Sequence, residues 1–184
     1  MIIFNTSKLR IFATILCVFL TNLTFGQEEE EEIKEGVEKP HEVAFVFGFS
    51  HIPAAFEEGE PEKEIYLPTI GFDYYYKLNE KWKLAFVLDF ELAKYQVNFD
   101  GEEIKREGAI VTGLGIGYEI LPRWTIGFGP GLEFERNKNI IVFRFNTDYA
   151  FEIGNDFALA PYFNYDFKQE YDTFSIGIGL HKSF

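Results

Sequence analysis

The chain has 184 residues, is 47% hydrophobic and 18% aromatic, and carries a formal net charge of -13. Such acidity argues against nucleic acid as a partner, because phosphate recognition needs a basic face. Cys17 is the only cysteine, so no disulfide framework is available.

Residues 1–26 predict a cleaved secretory leader. Lys8 and Arg10 precede the apolar run Ile11 to Leu20, and Thr24-Phe25-Gly26 forms a small-x-small site ahead of Gln27. The run is shorter than the roughly 20 residues a bilayer-spanning helix needs. Cys17 lies inside it, between Leu16 and Val18, where a lipid anchor does not form. Residues 27–40 (QEEEEEIKEGVEKP) hold five consecutive glutamates that repel one another and bury nothing. They predict a disordered acidic tail.

From His41 onward the pattern changes to a period of two. Eight alternating runs are predicted as strands: 42–50, 65–78, 82–94, 109–120, 124–136, 139–153, 157–168 and 173–184. Three connections are tight: Asn79-Glu80-Lys81, Leu121-Pro122-Arg123 and Gly154-Asn155-Asp156. Each is followed at once by an aromatic on the apolar face, namely Trp82, Trp124 and Phe157. An aromatic at the start of every strand rising from one end is what an interfacial girdle requires.

One face of these strands is apolar and rich in Phe, Tyr and Leu. Its only formal charges are Lys94, Arg136 and Lys182, all near strand ends, where a long basic side chain can snorkel. The other face carries Glu42, Asp73, Asp89, Glu91, Glu119, Glu133, Glu135, Asp148, Glu152 and Asp166 with Lys77, Lys83, Arg144 and Lys168. Glycines such as Gly113, Gly115, Gly117, Gly127, Gly129 and Gly131 share that face. A soluble barrel would turn the aromatic face inward, but an eight-stranded barrel has an interior only just wide enough for side chains, and more than forty large apolar residues would not fit there. The expected fold is therefore all-β: an eight-stranded antiparallel up-and-down transmembrane β-barrel over 41–184, apolar outside and polar within.

The last strand, Thr173 to Phe184 (TFSIGIGLHKSF), ends on an aromatic. It resembles the terminal strand of bacterial outer-membrane β-barrels, in which that residue (here Phe184) is part of the assembly signal. Lys182 stands where such strands usually carry a second aromatic. Together with the eight runs, this resembles the small outer-membrane barrel families typified by the membrane domain of OmpA and by OmpX. Gln27 after the cleavage site and the Phe/Tyr-rich strands look like a Bacteroidota member. The resemblance implies a monomer in the Gram-negative outer membrane, in contact with membrane lipid and lipopolysaccharide and inserted by the barrel assembly machinery. It also implies that both chain ends and the short turns face the periplasm. The longer links, Ser50–Glu64, Tyr95–Gly108, Asn137–Lys138 and Gln169–Asp172, would then face outward.

The candidate site is the lumen. A two-residue link at Asn137–Lys138 would place Arg144 opposite Glu133 or one diagonal away, so the expected charge cluster is Glu133, Glu135, Arg144 and Asp148. Paired charge can plug a narrow lumen, whereas unpaired charge there is costly. Ser50-His51 is weakly reminiscent of the His/Ser pair on the outer wall of lipid A deacylases; an interfacial histidine is the plainer reading. His41 and His181 are expected on the opposite face to His51, and neither suggests a metal site. Gly113-Leu114-Gly115-Ile116-Gly117 lacks the spacing of a phosphate loop, so no cofactor is expected. Pro68, Pro130 and Pro161 are each expected to mark a bulge. The expected function is structural or interactive, with a plugged lumen and no catalytic residues. A narrow cation-favouring pore is the alternative, and a lipid-modifying enzyme stands third.

Overall fold

Alternation along His41-Glu42-Val43-Ala44-Phe45-Val46-Phe47 is visible directly in the computed structural model, where Phe45, Phe47 and Phe49 are about half exposed while Ala44 and Val46 are buried. The structure describes residues 39–56, 63–99 and 102–184. The leader expected over 1–26 lies outside these, as does the acidic tail over 27–40 apart from Lys39 and Pro40.

The strands are β1 His41–Phe56, β2 Lys63–Lys77, β3 Trp82–Glu91, β4 Lys94–Phe99, β5 Glu102–Glu107 and β6 Ile110–Leu121. They continue with β7 Trp124–Phe134, β8 Ile140–Tyr149, β9 Phe151–Gly154, β10 Phe157–Lys168 and β11 Thr173–Ser183. Eight of them, β1, β2, β3, β6, β7, β8, β10 and β11, pair in that order, and β11 returns to β1 to close the barrel. His41 and Phe184 exchange backbone hydrogen bonds at the seam, 3.1 Å and 2.8 Å long. The strand expected over 139–153 is broken at Ala150, whose N–H donates to Arg123 O at 2.9 Å; β9 is its short continuation.

Turn chemistry fixes the end that holds both termini of the barrel. The Asn79 side-chain oxygen accepts from the N–H groups of Lys81 and Trp82, both at 2.9 Å. Arg123, Asn155 and Asp156 take positive φ, and Glu119 accepts the Arg123 N–H at 3.1 Å. Lys39 reaches back to this end and donates to the exposed Asp156 at 2.5 Å. That ammonium holds the Asp156 carboxyl below its usual range.

The opposite, loop end holds more structure than expected. The link 95–108 is a hairpin of β4 and β5, and β1 and β2 run past the barrel wall to meet it, with Ala55 opposite Val97. The pairing of β1 with β2 shifts register between Ile52 and Ala55, an irregularity of the kind a bulge produces. Ile52, Ala55, Leu67, Tyr95, Val97 and Ile104 form a buried apolar cluster there. This hairpin was hidden in the sequence because its second strand, EEIKRE, reads as a charged loop.

The prolines correct an expectation. Register is unbroken at Phe49 opposite Pro68 and at Pro161 opposite Ile178, so neither marks a bulge. Between β6 and β7, pairing lapses at Leu114 and Gly115 across from Pro130 and Gly129, then resumes in the same register. The missing proline N–H is absorbed by a gap in the ladder instead of an inserted residue. The strands are pressed together at that point: a Cβ on Gly129 would lie 2.0 Å from Leu114 O.

Candidate functional site

The charged side chains that fill the barrel fall into three polar layers, each drawing residues from several strands around the wall. At the loop end, β5 delivers Arg106 into the mouth, where its side chain is fully buried. The guanidinium lies 2.8 Å from Glu133 and 3.6 Å from Glu135 and donates to Lys138 O. Lys168 of β10 completes the layer, 2.6 Å from Glu133 and 3.2 Å from Glu91. Two hydroxyls bind the pieces together: Tyr95 donates to Glu91 at 2.6 Å, and Tyr171 donates to Glu133 at 2.9 Å. Burying this much charge is costly unless each group is paired, and here three carboxylates surround two cations.

The middle layer is Arg144, held by both Asp166 oxygens at 2.6 Å and 2.8 Å and by Asp89. Ser50 and Ser175 share a 2.6 Å hydrogen bond beside it. The third layer lies at the terminus end. Glu42 there meets His181 at 2.8 Å and Lys77 at 3.2 Å.

This geometry corrects the expected Glu133–Arg144 pair. Glu133 stands opposite Ile140, and Arg144 stands opposite Gly129. The link between β7 and β8 is longer than two residues. Glu135 turns back to accept the Asn137 N–H at 2.7 Å, and that shifts the register. Arg144 instead sits directly across from Asp166 on β10. The four residues expected as one cluster therefore divide among levels. Glu133 and Glu135 share Arg106, Arg144 holds the middle, and Asp148 lies farther toward the termini, lining the wide mouth there. Arg106 was missed because nothing in a charged loop sequence marks a residue that folds back into a lumen.

The remaining candidates are placed as follows. Trp82 packs on Tyr118 with ring centroids 4.6 Å apart, and Trp124 donates to Thr147 at 2.8 Å. Phe157 lies under the Lys182 ammonium, 4.5 Å from the ring centre, while that ammonium donates to Asn155 O at 2.5 Å. Phe184 is half exposed and stacks on His41. His41 is thus on the outer face with Tyr74, not on the opposite face to His51 as expected; both have odd numbers on one strand. His181 is inward. Ser50 and His51 face opposite sides of the wall: Ser50 bonds inside to Ser175, while His51 lies outside between Tyr66 and Phe174. They form no catalytic pair.

Open space is divided. The terminus end has a mouth of about 790 Å³, and the loop end has a groove of about 990 Å³ beside Lys94, Arg106 and Arg136. Between them lie two cavities of about 30 Å³, one of them beside the glycines of β6 and β7, and one of about 10 Å³. These are water-sized, since one water needs ~10–15 Å³. Among the described residues no three His, Cys, Asp or Glu side chains converge as a metal centre.

Fold and surface together define the class: a closed eight-stranded antiparallel β-barrel of the transmembrane type. Its outer wall presents Phe45, Phe47, Phe72, Leu114, Ile141 and Ile176 between 48% and 67% exposed. A soluble protein rarely tolerates so continuous an apolar surface. No family model matches the sequence, and no curated protein matches it. Among solved structures, it is similar to the N-terminal β-barrel domain of Pseudomonas aeruginosa OprF. That likeness has a TM-score of 0.53 at 11% identity and covers 82% of this chain and 100% of the other. The Ail protein of Yersinia pestis aligns with a TM-score of 0.48 at 12% identity, covering 80% and 100%. Neisserial surface protein A aligns with a TM-score of 0.49 at 11% identity, covering 78% and 97%. At these identities the OprF likeness establishes the fold alone.

Proposed function

We propose that this chain is an integral outer-membrane protein with a sealed polar lumen and a structural or interactive role. The observation that carries the reading is the loop-end layer, in which Arg106, Glu133 and Lys168 are fully buried across the mouth. The aromatics Trp82, Trp124 and Phe157 at one rim support a membrane interface there. The loop end then faces outward, lipopolysaccharide surrounds it, and Phe184 serves the assembly machinery. Two tests apply. Cells should yield the protein in the outer membrane, cleaved after Gly26, with unboiled and boiled samples migrating differently on a denaturing gel. Recovery as a detergent-free soluble monomer sinks the membrane reading. Purified barrel in a planar bilayer should show no steady conductance, and Arg106→Ala should raise it.

The carboxylate excess of the inner face favours a second reading, a narrow cation-favouring pore. Stable cation-selective channels in the unmodified protein, abolished by Glu133→Gln with Glu135→Gln, would promote it over the sealed barrel.

A further inference from the structure

Below the Arg144 layer, toward the termini, lies one of the two cavities of about 30 Å³. Asp73, Asp148, Asn146, Asn164 and Tyr162 line it. The charge balance there is uneven. Arg144, which also borders the cavity, is already engaged by two carboxylates, Asp89 and Asp166. Asp73 is only 8% exposed and receives one hydrogen bond, from Tyr75 at 3.0 Å to its Oδ2. Its Oδ1 is buried with no partner. Asp148 is 7% exposed and makes no ion pair among the described residues. His181 also borders the cavity, but its Nδ1 is turned to Glu42.

A carboxylate withdrawn from water with one oxygen unpartnered, as in Asp73, costs several kcal/mol unless it takes up a proton or a cation, and the cavity beside it has room for the second. Apart from the His181 ring, the donors available to a cation are carboxylate, amide and phenol oxygens, a set dominated by the ligands that suit hard cations. The space accommodates one ion with a water or two. An entry route exists, because Asp148 and His181 also line the wide mouth at the terminus end.

We propose that this cavity binds a hard, oxygen-coordinated metal cation admitted from the terminus-end mouth. The site depends on the folded barrel and is independent of whether the lumen conducts, so the bilayer assay can fail without touching it.

The test uses the full-length barrel refolded in detergent and freed of metal with a chelator. Thermal unfolding is followed in chlorides of sodium, potassium, magnesium and calcium at constant ionic strength. A saturable rise in melting temperature with one cation over the others is expected, lost in Asp73→Asn and in Asp148→Asn but kept in Glu152→Gln at the rim. Terbium, a calcium mimic, provides a readout on the unmodified protein if those variants do not fold. Excitation through Tyr75 and Tyr162 should sensitise its emission, and calcium should displace it if the site is divalent. Selective stabilisation by sodium or potassium, without terbium emission, assigns a monovalent occupant. Equal melting in all four salts, no terbium emission, and an infrared band of a protonated carboxyl at neutral pH that vanishes in Asp73→Asn would overturn the proposal.

Discussion

Arg106 and Glu133 lie 2.8 Å apart with both side chains fully removed from solvent, one delivered by a hairpin outside the barrel and the other by the barrel wall. The hairpin is therefore fastened to the wall by charge as well as by the apolar cluster around Ile52 and Tyr95. Arg106→Ala leaves Glu133 and Glu135 buried with less compensation, and should cost roughly 3–5 kcal/mol. Arg106→Leu combined with Glu133→Gln should cost clearly less than the two changes added. Urea unfolding in lipid vesicles measures both, and strict additivity would show that the pair does not interact.

Arg144 is expected to couple to Asp166 and not to Glu133. A double-mutant cycle on Arg144→Met and Asp166→Asn should return an interaction energy on the order of 1–3 kcal/mol. The same cycle with Glu133→Gln should lie within about 0.5 kcal/mol of zero, because those two groups belong to different layers. A large Arg144–Glu133 coupling would restore the register expected from a two-residue link.

Much of this architecture is legible in the chain, and the failures share a physical cause. Period two survives in every wall strand because lipid and lumen are opposite solvents, so Phe45 and Val46 declare their faces by parity alone. Trp82, Trp124 and Phe157 mark three strand starts through the turns that precede them. The hairpin of β4 and β5 is short, and its inner side mixes the apolar cluster of Tyr95, Val97 and Ile104 with the charge of Arg106, so its sequence shows no clean apolar face. Register between β7 and β8 was likewise hidden. It depends on Glu135 and Asn139 folding back within the link, and side-chain hydrogen bonds of that kind leave no periodic trace.

The contact between β6 and β7 predicts a contrast between two glycines. Gly129→Ala drives a methyl against Leu114 O, a backbone atom that cannot step aside. It should destabilise the barrel at the upper end of roughly 1–3 kcal/mol. Gly108 has open space around it but a φ of 60°. Gly108→Ala should therefore cost only about 1 kcal/mol, the strain of a left-handed alanine. Unfolding of both variants under identical conditions checks the order, and a milder Gly129→Ala would contradict the close approach.

The Lys39–Asp156 contact predicts a pH-dependent tether. Because the folded carboxyl titrates below its ordinary range, the contact is fully formed above the unfolded value of that group and is lost as pH falls through the folded one. Carboxyl NMR should place Asp156 below an unperturbed aspartate. Lys39→Ala should move it upward, with Lys182, 3.6 Å away, retaining part of the depression. An unchanged titration in Lys39→Ala would remove the tether.

The seam between β1 and β11 carries a kinetic consequence. These are the first and last strands of the barrel, and their pairing runs from Glu42 opposite Ser183 to His51 opposite Phe174. No shorter stretch of chain can satisfy that ladder, so every partly assembled form has two unpaired edges bordered by exposed aromatics. Closure must cross the greatest sequence separation in the domain, which places it late and makes it slow. The chain is thus most vulnerable to association with its own copies in the interval before Phe184 reaches His41.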